Sequence, residues 1–172
     1  MLLFIDFCLL ILLSITAIQD FKHRAISWYL IPLLIIAFIF KVYNTNESNI
    51  FWFNSAFNFV FVFIQLILLT LYIGIKNKKM TNIINSYLGL GDILFFMVLC
   101  LALSPFNFVI FYIVSILFTA IGYLAYTGIV KKPNREIPLA GSMALLFIFL
   151  IFINFLKPIP FYTDNFWLAI IN

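Results

Sequence analysis

Charge is the scarcest property of this sequence. Lys, Arg, Asp and Glu together make up 9% of its 172 residues, where a soluble domain carries about a quarter. So few ionised groups cannot clothe a water-facing globule, and a lipid bilayer is the solvent such a composition suits. Cysteine is nearly absent. Cys8 and Cys100 both sit inside apolar runs and form no C-x-x-C pair, which argues against a metal or redox site and for two buried thiols. No Lys or Arg precedes the first apolar stretch and no small-x-small cleavage site closes it, so residues 2–19 read as a retained helix, not a cleaved signal. No long polar stretch leaves room for a separate soluble domain, and residues 1–172 read as one membrane domain.

What is present is apolar: 66% of the chain, including 23 Phe and 8 Tyr. Apolar runs fall near 2–19, 26–43, 51–75, 84–103, 106–128 and 137–156. Each is about as long as the 17–25 residues that cross the hydrocarbon core. The expected fold is therefore all-α, a polytopic membrane bundle of about six helices surrounded by lipid. The tail from Lys157 to Asn172 holds two prolines and an apolar stretch too short to span, which suits the interface. Trp28, Trp52 and Trp167 fall near span ends, as an aromatic belt requires. Pro32 reads as a kink in the second helix.

The net charge of +4 hints at nucleic acid until its distribution is read. Lys22 and Arg24, then Lys76, Lys78 and Lys79, then Lys131, Lys132 and Arg135 occupy alternate connections, while the other side has Lys41 and Lys157. By the positive-inside rule the basic side is cytoplasmic and both termini are outside. The charge is a topology signal and calls for no nucleic-acid partner.

The six carboxylates can be taken one at a time. Glu47, Glu136 and Asp164 fall in loops or the tail and read as solvated. Asp6, near the outer end of helix 1, reads as reaching the interface. Asp20 ends helix 1 on the basic side, and Asp92 sits at the start of helix 4 within Gly89-Leu90-Gly91-Asp92. Helix 4 enters from that same side, so these two are placed to meet; Asp6 lies about 21 Å from Asp20 along the helix. Two carboxylates in a poorly solvated pocket share a proton. That suits peptide hydrolysis: one activates water while its protonated partner polarises the carbonyl. Gly89 and Gly91 permit unusual backbone and leave room for an extended chain. The structural alternatives are close helix packing by the glycines, capping of helix 4 by Asp92 and an interfacial Asp20.

At these residues the sequence resembles the type IV prepilin peptidases and their archaeal preflagellin relatives. Three segments carry the resemblance in order: Asp20-Phe21-Lys22-His23-Arg24-Ala25-Ile26, Gly89-Leu90-Gly91-Asp92, and Ile137-Pro138-Leu139-Ala140-Gly141. The resemblance implies a membrane aspartyl peptidase with Asp20 and Asp92 as its catalytic pair. Gly89, Gly91, Lys22, Arg24 and Pro138 would support the motifs or the substrate. The substrates implied are pilin-like precursors, cut between a short basic leader and an apolar helix at the cytoplasmic face. The resemblance implies no metal or organic cofactor. Longer members carry a cysteine-containing region linked to methylation of the product; this chain does not, so cleavage without methylation is expected. Ser27-Trp28 stands where the family often has Pro-Asn, and Leu94 where it commonly has Lys; both bear on substrate recognition. A non-catalytic relative that assembles pilin-like proteins is the alternative these departures motivate, and a small ion-coupled transporter is a third. His23, the single histidine, reads as an exposed loop residue.

Overall fold

A computed structural model describes residues 2–45, 48–78, 88–129, 137–156 and 161–162. The described residues form six helices in the expected order: α1 Leu2–His23, α2 Leu30–Asn44, α3 Ser48–Asn77, α4 Leu90–Leu99, α5 Pro105–Ile129 and α6 Leu139–Leu156. Glu47, Lys79, Lys131, Lys132, Arg135, Glu136, Lys157, Asp164 and Trp167 fall outside the described residues.

Four helices, α1, α3, α5 and α6, are long and apolar enough to cross a membrane. The six expected spans thus resolve into four long helices and two short apolar ones. The 10-residue α4 reaches about 15 Å, half of the hydrocarbon core. It stops where Cys100, Leu101 and Ala102 turn back on Phe96, Val98 and Leu99. Asn58 of α3 donates from Nδ2 to the carbonyls of Cys100 and Leu103 at 3.1 and 2.9 Å, supplying partners that a helix end buried in a bundle otherwise lacks. The second helix also begins later than its apolar run, at Leu30. Pro32 therefore lies in its first turn, where a missing N–H breaks no helical hydrogen bond, and is not an internal kink.

The bundle is built around α1 and α6, which pack along their length; α2 lies on α1, α5 on α6, α4 between α2 and α6, and α3 mainly on α5. The core is aromatic. Phe147 of α6 meets Phe38 and Phe111 edge-on at 5.4 and 5.5 Å and stacks on Phe161 at 6.2 Å. Outward, the helices expose bare apolar side chains, among them Phe4, Phe53, Phe63, Leu68 and Leu124. Patches of this extent belong against lipid. Polar residues within the helices turn back on their own backbone: Thr16, Thr70, Ser115 and Thr119 each donate to the carbonyl four residues earlier, which satisfies these four hydroxyls without water.

Ile5, Asp6, Leu9, Leu13, Thr16, Ala17 and Asp20 form the buried stripe of α1. Two carboxylates thus cap one apolar face, a spacing of fourteen residues returning to the same side of a helix. Asp6 does not reach the interface as expected. It is 5% exposed and pairs with Lys41 of α2 at 2.6 Å, whose ammonium lies 4.7 Å from the centre of the Phe161 ring. Phe161 and Tyr162, the described part of the tail, are buried against the bundle.

Candidate active site

At the other end of the buried stripe, α1 runs one turn past Asp20 before it closes. Arg24 N–H bonds the Asp20 carbonyl at 3.0 Å, and Arg24 takes the left-handed conformation, φ 53°. The sequence reading ended helix 1 at Asp20; instead Asp20 lies inside the last turns and is 6% exposed. Ser27 N–H donates to Gln19 Oε1 at 2.9 Å, folding the connection so that Ile26 lies under the start of α4.

Asp92 is the third residue of α4. Its Oδ2 accepts the Gly89 N–H at 3.3 Å, one half of a capping box. Gly89 and Gly91 serve close approach, because neither has a positive φ. A Cβ on Gly89 would stand 3.1 Å from Asp92 Oδ2, and one on Gly91 would stand 3.4 Å from Ile26. The carboxylate can therefore fold back over Gly89, and α4 can seat on the connection below it. The unusual backbone expected of these glycines is absent.

The first turn of α6 joins the two carboxylates. Ala140 N–H donates to Asp92 Oδ1 at 2.9 Å, and Gly141 N–H donates to Asp20 Oδ2 at 2.6 Å. These are consecutive amides at a helix N-terminus, where donors lack intrahelical partners and the dipole favours anions. Pro138, just before the helix, supplies a carbonyl that accepts Ser142 N–H at 3.1 Å and Ser142 Oγ–H at 2.8 Å, which holds that turn in shape. Gly141 permits a close approach: a Cβ there would stand 3.0 Å from Asp20 Oδ2 and 3.2 Å from Phe21 Cδ2, so the neighbours would have to give by a few tenths of an ångström. Asp20 and Asp92 also interact electrostatically, and the Arg24 guanidinium acts on both.

Asp20, Asp92, Arg24 and Gly89 line one cleft of about 1060 Å³. Its far walls come from α3 (Gln65, Leu69, Tyr72) and α5 (Tyr112, Ile116, Thr119). Beyond these residues α3 and α5 expose most of their side chains. Lys22 and His23 are exposed and do not line it. Lys22 faces a separate surface groove with Phe21 and Ile18. The sequence reading did not find the amides of Ala140 and Gly141, nor the Lys41–Asp6 pair.

Asp92 belongs to α4, which does not span. Burial pushes its carboxyl up to about 6; the Ala140 N–H opposes this, the Asp20 charge adds to it, and the Gly89 N–H and Arg24 oppose it more weakly. A raised carboxyl binds its proton more tightly in the folded chain, so its contribution to stability is full below about pH 4 and is lost as pH rises through about 6. Asp92→Asn removes that dependence. In detergent, its stability relative to wild type is expected to improve by on the order of 1 kcal/mol between pH 5 and pH 8. Melting curves of the two proteins at both pH values measure this, and a constant difference would contradict it.

A model of the type IV leader peptidase family matches residues 7–124, a stretch that holds both aspartates and stops before α6. No curated protein and no solved structure matches the chain.

Proposed function

We propose that this chain, which belongs to the type IV leader peptidase family, is a membrane aspartyl endopeptidase with Asp20 and Asp92 as its catalytic pair. The observation that carries the reading is the pair of consecutive α6 amides, each donating to one of the two carboxylates that line a shared cleft. The Gly141 amide leaves Asp20 Oδ1 for chemistry, and on Asp92 the Oδ2 that faces away from Ala140 accepts only the long 3.3 Å bond from Gly89 N–H. Two such groups sharing one proton provide a base and an acid together. The ionised partner takes a proton from water as the water attacks the scissile carbonyl. The protonated partner donates to the carbonyl oxygen, and a proton then passes to the leaving amine as the C–N bond breaks.

The family supports pilin-like precursors as substrates, with a basic leader ahead of an apolar helix. The cleft suits such a chain. Its walls are largely aliphatic and aromatic, which suits an apolar segment, and the two carboxylates line it beside the start of α6. The basic residues of the connections support a cytoplasmic position for that end, the side on which a leader would be exposed.

The test is hydrolysis of a pilin-like precursor by the purified protein in liposomes, with the product's new N-terminus read by mass spectrometry. A single cut between the basic leader and the apolar helix is expected. A precursor left intact, or cut within its soluble part, would overturn the reading.

A further inference from the structure

Among the described residues, Arg24 Nη1 is a buried nitrogen without a hydrogen-bond partner, although Arg24 lines the cleft with both aspartates. Its charge acts on Asp20 and Asp92, yet it forms no ion pair with either. Among the described residues the ion pair is Lys41–Asp6, at the other end of α1. A buried donor without an acceptor is unfavourable, and more so when charged.

The backbone adds a second cost. Arg24 has φ 53°, a conformation unfavourable to any residue with a Cβ and one that glycine commonly supplies where a helix ends. Topology alone does not explain the residue. Lys22 and His23, its immediate neighbours, keep their side chains exposed, while Arg24 turns partly inward. The chain therefore holds, beside its two carboxylates, a residue unfavourable in both backbone and side chain. Strain of this kind collects where a ligand is bound.

We propose that Arg24 is a substrate-binding residue whose Nη1–H donates to a main-chain carbonyl oxygen of the precursor next to the scissile peptide. The inference rests on the peptidase reading above. A main-chain carbonyl is the neutral acceptor that any extended peptide presents, and a buried guanidinium nitrogen can donate to it without adding charge to the site. An acidic side chain would also bring a third carboxylate to a site that already holds two. An extended precursor presents a carbonyl whatever its sequence, so Arg24 holds the chain in register against Asp20 and Asp92 without selecting particular side chains. Its charge at the same time balances the single negative charge of a pair sharing one proton.

The experiment compares wild type, Arg24→Gln, Arg24→Lys and Arg24→Gly in liposomes on one pilin-like precursor, alongside binding of the uncut precursor to Asp92→Asn with and without Arg24→Gln. A charge-assisted hydrogen bond of ordinary strength predicts a fall of about 10- to 100-fold in kcat/KM for Gln and Gly. A comparable loss of precursor binding is expected in the Asp92→Asn background, with partial recovery by Lys, whose ammonium is a point charge on a different stem. Arg24→Gly should melt higher than wild type while cutting more slowly. That opposition shows the activity loss is not unfolding.

If wild type cuts and Arg24→Gln cuts and binds equally well, the proposal fails and the peptidase reading stands. A shifted pH profile with unchanged binding would also overturn it, because Arg24 would then act only through the aspartates. So would inverted insertion of Arg24→Gln, read by labelling a single cysteine placed in a connection. If wild type cuts no precursor, the peptidase reading fails. Precursor binding then decides the Arg24 contact alone: lost with Arg24→Gln, it supports the contact; unchanged, it overturns it.

Discussion

Gly141→Val is expected to lower cleavage by about two orders of magnitude while leaving the protein inserted. The first atom added at this position already stands 3.0 Å from Asp20 Oδ2 and 3.2 Å from both Asp20 Cβ and Phe21 Cδ2. Neither α1 nor α6 can give way freely, since their contact is the most extensive in the bundle. The valine methyl groups would push the first turn of α6 away and lengthen the 2.6 Å bond from Gly141 N–H to Asp20. Asp20 would then lose its register with Asp92, whose own amide partner is the residue before. A displacement of about 1 Å at reacting groups costs on the order of 10²-fold in rate, and overpacking adds about 1–3 kcal/mol of destabilisation. Gly141→Ala, with one carbon to accommodate, should fall between Val and wild type. Initial cleavage rates at matched membrane levels measure the series, and a Val variant as fast as wild type would mean that the α6 amides do not set the geometry.

Much of this arrangement is visible in the sequence because the bilayer imposes a simple rule. A run of about twenty apolar residues must satisfy its own backbone, and the helix is the form in which it can. All six helices follow from that. Their ends do not, because ends are set by particular side chains. Asn58 stops α4 from the neighbouring α3, a contact across 42 residues that no local pattern reveals. Pro32 delays α2 by tolerating only its first turn.

The site divides in the same way. Asp20 and Asp92 stand out because ionisable residues near apolar runs are rare, and they do line one cleft. Their partners are backbone amides, which every residue but proline possesses. Only Pro138 and Gly141, in a short motif ahead of α6, hinted that this helix start matters. Asp6 and Lys41 carried a signal that depth alone could have supplied. One lies near the start of α1 and the other near the end of the antiparallel α2, so the two meet at one level, where a pair is far cheaper than two lone charges.

Asp20→Asn and Asp92→Asn are each expected to remove cleavage, by about 10²- to 10⁴-fold, the range of a lost general acid or base. Asn keeps the size and one acceptor oxygen, so the amide of Gly141 or of Ala140 retains a partner while the titrating proton is gone. The two losses should not add. Groups that act as one unit lose nearly everything with the first removal, and the double variant should be no slower than the slower single one. Ala would confound the comparison by leaving a buried amide without an acceptor.

The most direct test is the initial cleavage rate of one pilin-like precursor by wild type, Asp20→Asn, Asp92→Asn and the double variant at equal membrane levels. Wild type cutting, with all three variants at one common background, is the result the shared-proton pair predicts. A single variant that cuts at the wild-type rate, or a double variant far slower than both singles, would contradict it.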